Sequence, residues 1–200
     1  MNINDKILVF DNYDSFTYNL VEALKISGCT NIDVFRNDKI SLEDVDKYDR
    51  IVISPGPGIP KESGILLNLL KRYSPYKKIF GVCLGLQAIG ERFGGQLENI
   101  GKVFHGVATN INITQEDSLF EGIGNKDSNS RRTFMAGRYH SWILSRDNLP
   151  DCLQVIAEDD TGEIMAIKHK EYNVYAVQFH PESILSPEGQ LIINNWLKNK

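Results

Sequence analysis

The chain has 200 residues, a net charge of −4, and 42% hydrophobic and 24% charged content, which suits one globular domain spanning residues 1–200. The acidic balance excludes the basic footprint of a nucleic-acid binder, and no apolar run reaches the roughly 18 residues of a membrane span. The N-terminus lacks the charged-then-apolar layout of a signal peptide, and Cys29, Cys83 and Cys152 are too few and too scattered for a disulfide framework or a zinc site, so a reducing cytoplasm is the expected location.

Taken in order, Lys6 to Phe10 (KILVF) predicts a short buried strand. The polar turn Asp11 to Ser15 follows, and Phe16, Leu20, Val21 and Leu24 then recur at helical spacing up to Ser27, with Gly28 where a helix would be capped. Asp11, Tyr13 and Asp14 lack both the glycines of a phosphate cradle and the ligand count of a calcium loop. Ile32 to Phe35 predicts a second strand, Leu42 to Val45 a short helical connection, and Arg50 to Ser54 a third strand. The proline- and glycine-rich SPGPGIP, residues 54–60, comes next, where ligands of open α/β sheets bind. Glu62 to Tyr73 reads as a helix and Lys78 to Val82 as a fourth strand. This alternation predicts a doubly wound, mostly parallel sheet flanked by helices.

The fourth strand runs into KKIFGVCLGLQAIGERFGG, residues 77–95. Here an apolar strand passes through Cys83 into an amphipathic helical run, Leu86 to Phe93. A nucleophile at a sharp strand-to-helix turn, with Gly81 and Gly85 removing side chains that would crowd it, is an elbow arrangement. The helix start behind the thiol favours a thiolate.

Beyond Gly95 the texture changes. Val103 to Thr114 alternates like an antiparallel strand, GIGNKDSNSRR (122–132) reads as a mobile surface loop, and Thr133 to Trp142 and Leu153 to Glu158 are further strand-like runs. Asp160, Thr161 and Gly162 turn a hairpin into Ile164 to His169. Val174 to Phe179 returns to the core and runs into His180, Pro181 and Glu182; Pro187 to Leu197 closes as a helix with Leu191, Ile192 and Trp196 on one face. A cysteine nucleophile needs a base, and the base needs an orienting group; Cys83, His180 and Glu182 supply the three.

Together, G-V-C-L-G-L-Q and F-H-P-E resemble the class I (triad) glutamine amidotransferases. FDNYDSFTYNL (10–20), SPGPGIP and GRYHSW (137–142) make the chain similar to the glutaminase subunit, component II, of anthranilate synthase and of aminodeoxychorismate synthase. The resemblance implies a flavodoxin-like core with additional antiparallel strands in the C-terminal half. It also implies hydrolysis of the glutamine side-chain amide and delivery of ammonia to a chorismate-using synthase subunit, component I, that makes anthranilate for tryptophan. The same chemistry for aminodeoxychorismate and folate, or for both, is the alternative. The backbone N–H groups of Leu84 and Gly56 are the natural oxyanion donors, since Pro57 has none. By matching position, Gly56, Pro57, Gly58, Gln87, Ser141 and Trp142 line the glutamine site. No cofactor is implied for this chain; magnesium is expected on the partner. The Asp11 to Asn19 segment is expected beside the glutamine site, near the surface that meets the synthase, with low glutaminase activity in the partner's absence.

His140 reads as structural, orienting the Ser141 strand, and His105 and His169 as surface or strand residues. The chain departs from many relatives at Leu86, where a histidine is common, and at Trp142, where leucine is common. Two readings of other classes stand beside this one: a catalytically silent regulatory subunit, and a cysteine hydrolase or peptidase on the same fold.

Overall fold

The computed structural model describes residues 5–126 and 132–199. In chain order these form β1 (Ile7–Asp11), α1 (Thr17–Ile26), β2 (Ile32–Arg36), β3 (Arg50–Ile53), α2 (Leu66–Tyr73), β4 (Lys78–Val82) and α3 (Leu84–Arg92). The second half adds β5 (Leu97–Asn99), β6 (Val107–Ile113), β7 (Asn125–Lys126), β8 (Arg132–Arg138), β9 (Trp142–Leu144), β10 (Leu153–Asp159), β11 (Ile164–His169), β12 (Val174–Val177) and α4 (Gly189–Lys198). Among the described residues no helix is long and apolar enough to cross a membrane.

One sheet runs through most of these strands in the order β2-β1-β3-β4-β12-β11-β10-β6-β8-β7. From β2 to β12 every neighbouring pair is parallel. That segment reproduces the flavodoxin-like order, in which the strand direction of travel reverses beside β1. From β12 to β7 every pair is antiparallel. A separate antiparallel pair, β5 with β9, packs against α3.

The parallel strands are buried on both faces, and period-two alternation divides their side chains between two apolar layers. Ile7 and Val9 join Leu20, Leu24 and Trp196 on the side of α1 and α4. Leu8 and Phe10 join Leu66, Leu70 and Leu86 on the side of α2 and α3. The α1 helix stops as the sequence indicates: Gly28 adopts φ +88° and its N–H donates to the Lys25 carbonyl at 2.8 Å.

Five expectations need correction. The α2 helix begins at Leu66, not Glu62; the preceding stretch holds only a 3₁₀ turn at Pro60–Glu62, because Gly64, at φ +57°, breaks the helical backbone ahead of Leu66. The run Thr133 to Trp142 is two strands in different sheets, and Val103 to Gly106 precede β6 instead of joining it, with the Phe104 N–H on the His140 carbonyl. Within GIGNKDSNSRR, Asn125–Lys126 pairs with β8, while residues 127–131 lie outside the described residues. The α3 helix is not amphipathic over its first two turns: Leu84 through Gly90 are all buried, between the sheet and the β5–β9 pair.

The β4–α3 junction depends on two facing glycines. A β-carbon on Gly81 would lie 2.7 Å from the Gly85 carbonyl carbon and 2.8 Å from Ile89 Cδ1. Neither backbone nor buried helix can yield, so Gly81→Ala is expected to lower stability by about 1–3 kcal/mol, read from the urea unfolding midpoint.

Candidate active site

The carboxyl ends of β1, β3, β4 and β12 converge at the place where open parallel sheets bind ligands. Asn12 follows β1, the SPGPGIP loop follows β3, Cys83 follows β4, and Gln178 to His180 follow β12.

Cys83 is the single residue between β4 and α3, at φ +53° and ψ −99°. A non-glycine residue there is strained and persists only where its surroundings over-determine it. Its N–H donates to the Val177 carbonyl at 2.8 Å, and its carbonyl accepts from the N–H groups of Leu86 and Gln87. Leu84 opens α3, so its N–H has no intrahelical carbonyl to bond. Gly56 lies against it, for a β-carbon there would come within 2.7 Å of Leu84 Cδ2 and 2.6 Å of Asn12 Cβ. Asn12 is fixed in turn by Ser54, donating its side-chain amide to the Ser54 carbonyl at 3.0 Å.

His180 is 2% exposed, and its Nδ1 lies 2.7 Å from Glu182 Oε1. Its N–H bonds the Gly137 carbonyl and its carbonyl accepts from Ser186 Oγ, so the backbone is held on both sides. The rings of Tyr139 and Phe16 pack on the imidazole at 4.7 Å and 5.3 Å between centroids. Pro181 is wedged under α4, because a β-carbon on Gly189 would overlap its carbonyl oxygen. Nε2 is buried and makes no hydrogen bond of normal geometry, yet Cys83 is close enough to act on the ring. Burial pulls the His180 pKa down, but Cys83 and Glu182 outweigh it and raise the pKa to about 10.

Beside Cys83 is a cavity of about 230 Å³. It is bounded by Gly56, Pro57 and Gly58 on one side and by Gln87, Ser141 and Trp142 on another, so the six residues expected to line a substrate site share one pocket with the thiol. Tyr139 and His140 complete the wall. Gln87 is 3% exposed and donates to the Trp142 carbonyl at 2.9 Å, which excludes a solvated helix residue. His105 is exposed; His169 is buried on β11, stacked on Tyr172 at 4.2 Å.

Three participants were not singled out from the sequence. Phe16 was counted only as a helix-face residue, yet it packs on the His180 ring. Tyr139 stands inside GRYHSW and bonds Ser183 Oγ at 2.9 Å. Gln178, two residues before His180 and fully buried, places Nε2 3.5 Å from Cys83 Sγ. Membership of the same short motifs was the available signal for all three.

Residues 8–200 match the family model for glutamine amidotransferase class-I. The chain belongs to the class I glutamine amidotransferases. It is 42% identical over 193 residues to aminodeoxychorismate synthase component 2 of Escherichia coli K12, covering 96% of this chain and 98% of that one. It is 39% identical over 204 residues to anthranilate synthase component 2 of Pseudomonas aeruginosa, covering 97% and 96%. A bifunctional protein TrpGD of Thermotoga maritima is 41% identical over 195 residues, of which this chain spans about a third (32%). Among solved structures, a glutamine amidotransferase of Thermotoga maritima superposes with TM-score 0.77 at 10% identity, covering 97% of this chain and 96% of that one, a likeness of fold.

Within this amidotransferase the two departures fall in different surroundings. Leu86 is fully buried in the apolar layer of α2 and α3, where a leucine packs without an unpaired polar atom. Trp142 is half-buried and presents its backbone carbonyl to Gln87 and His140.

The two buried histidines of the amidotransferase titrate in opposite directions. Burial, followed by the charge of Arg138, lowers His140 to about 3. Between about pH 6.5 and 3 the unfolded chain therefore binds a proton at this position that the folded chain refuses, and stability is lost as pH falls. His180, raised, contributes stability below about pH 6.5 that is lost as pH rises through about 10. His140→Asn is expected to flatten the fall in unfolding free energy between pH 6 and 4, by up to about 1.4 kcal/mol per pH unit, read by urea unfolding at each pH.

Proposed function

We propose that this chain is the glutaminase subunit of a chorismate-using synthase, with Cys83, His180 and Glu182 as its catalytic triad. The observation that carries this reading is the strained Cys83 at the mouth of a small polar cavity, with the buried His180–Glu182 pair beside it. Cys83 Sγ attacks the carboxamide carbon of glutamine. Negative charge builds on the amide oxygen and is met by the N–H groups of Leu84 and Gly56. His180, protonated and held by Glu182, gives its proton to the departing nitrogen, and ammonia leaves a glutamyl thioester. His180 then accepts a proton from water as the water attacks the thioester, releasing glutamate and returning Cys83 Sγ and protonated His180 to the state in which they began. The whole chain acts as one amidotransferase domain, and no metal or cofactor takes part on it. Magnesium belongs with chorismate on the partner.

A partner surface lies beside the triad. The outer edge of α1 and the turn after His180 line a groove of about 390 Å³ that includes Asn19, Ile26 and Ile184. Ile184 is 95% exposed and Tyr18 68%, an apolar display next to Glu182 that suits a synthase subunit able to sense or press on the site. Ammonia released before the acceptor is bound would be wasted, so glutaminase activity is expected to be low alone and stimulated by the partner. A cytoplasmic location suits three cysteines that form no disulfide, one of them the nucleophile.

We favour anthranilate as the product. Aminodeoxychorismate is the second reading, favoured by the 42% identity to the component 2 that serves that synthase in Escherichia coli.

The deciding experiment reconstitutes the chain with each chorismate-using subunit of the same genome and follows anthranilate fluorescence. Glutamine-dependent product is expected to vanish in Cys83→Ala and to return with ammonium salt. Glutamate release without anthranilate would move the assignment to aminodeoxychorismate; no glutamate release with any partner would overturn the glutaminase reading. Removing the carboxylate by Glu182→Gln is expected to lower kcat by about 10²–10⁴-fold. Because His180 holds its proton to about pH 10, the alkaline fall of kcat/KM is expected near that pH in the wild type and lower in Glu182→Gln.

A further inference from the structure

Behind the pocket wall lies a buried ionic cluster that the proposed chemistry does not use. Arg138, at the end of β8, is 1% exposed. Its Nη1 donates to Asp159 Oδ2 at 2.6 Å, its Nη2 pairs with Glu163, and its plane stacks over Phe104, 3.7 Å from the ring centroid. All three contacts hold the guanidinium in one orientation. Its Nε–H is directed at His140 Nε2 at 3.0 Å.

That bond decides the state of His140. An arginine Nε–H can only donate, so His140 Nε2 must accept and cannot carry a proton. The proton of the neutral imidazole is then on Nδ1, which donates to the Trp142 carbonyl at 3.1 Å. The same carbonyl accepts from Gln87 Nε2 at 2.9 Å. Both of its lone pairs are taken, one by a group on α3 and one by a group fixed through Arg138. The Ser141 carbonyl is also occupied, by the Ile100 N–H at 3.0 Å. The carbonyls of His140, Ser141 and Trp142, on the segment facing Cys83 across the cavity, are therefore all held.

We propose that Arg138 and His140 are positioning residues for the substrate. The guanidinium, anchored on the β10–β11 hairpin, fixes the Nδ1–H tautomer of His140, and His140 with Gln87 clamps the Trp142 carbonyl so that the Ser141–Trp142 wall stands at the distance from Cys83 that glutamine requires. This rests on the cavity being the glutamine site. It assigns the two residues to substrate affinity and not to the reactivity of the thiol.

The test separates those two quantities on the full-length chain. Cys83 is alkylated with iodoacetamide, and glutamine is titrated as a protectant. The asparagine side chain places its amide where His140 has Nδ1, whereas glutamine reaches the Nε2 position. His140→Asn is thus expected to keep the glutamine protection constant within about threefold of wild type, and His140→Gln to weaken it about tenfold, the worth of one buried hydrogen bond. Alkylation without glutamine should proceed at the wild-type rate in both. In steady state the same split should show as a raised KM with kcat nearly unchanged. Combining His140→Gln with Gln87→Leu should weaken protection by less than the product of the single effects, since both donors serve one carbonyl. Equal protection in the Asn and Gln variants, or slower alkylation in step with weaker protection, would overturn the proposal. If glutamine fails to protect the wild type, the glutaminase reading itself falls, which no variant is needed to reveal.

Discussion

The strained backbone at Cys83 is the constraint on which the rest of the structure depends. A residue with φ +53° between a strand and a helix is tolerated only if the chain has no easier path. Here the easier paths are closed from three sides. Gly81 and Gly85 bring strand and helix too close for any side chain between them, the Val177 carbonyl holds the Cys83 N–H, and α3 begins at once with its first turn on the Cys83 carbonyl. The two apolar layers of the parallel sheet supply the stability that offsets the local strain, since β4 is central and buried on both faces.

The site also separates two imidazoles by their surroundings. His180 shares its pocket with a thiol and a carboxylate, and gains a proton despite burial. His140 shares its pocket with a guanidinium, and loses one. They stand in the same small region, and burial lowers both; only His180 has partners that outweigh it. Burial does most to lower His140, and Arg138 adds to it; the charge of Arg138 is itself balanced by Asp159 and Glu163, and a buried arginine is sustainable only with such partners.

Much of the parallel half was legible in the sequence because its signals are local. Strands of continuous apolar residues, Gly28 closing α1 and the elbow glycines each declare themselves within a few positions. The antiparallel half was read less well. Thr133 to Trp142 alternates as one strand, but the chain leaves the sheet after Arg138, and only the distant partners Ile100 and Phe104 show why. The helix start at Leu66 was missed because Glu62 and Ser63 look helical while Gly64 dictates the backbone. For the site, motif residues identified the pocket wall, but composition could not say that Gln87 faces a backbone carbonyl, nor that Phe16 leaves its own helix face to cover His180.

The division of the sheet explains why one site draws on both halves. The parallel strands end together, so β3 and β4 deliver the SPGPGIP loop and the thiol to the same edge, but they cannot close the far side of a cavity. β12 is the last parallel strand and also the first partner of the antiparallel extension. Its end therefore carries His180 to the thiol while Gly137 of β8 pairs with His180 from the other direction. That single bridge brings Tyr139 and His140 to the cavity wall within three residues, with Arg138 behind them. An extension packed elsewhere on the core would leave Cys83 open to water, with no wall opposite the SPGPGIP loop. The antiparallel strands are thus part of the site's geometry, joined to the Cys83 side of the cavity through one backbone pairing at His180.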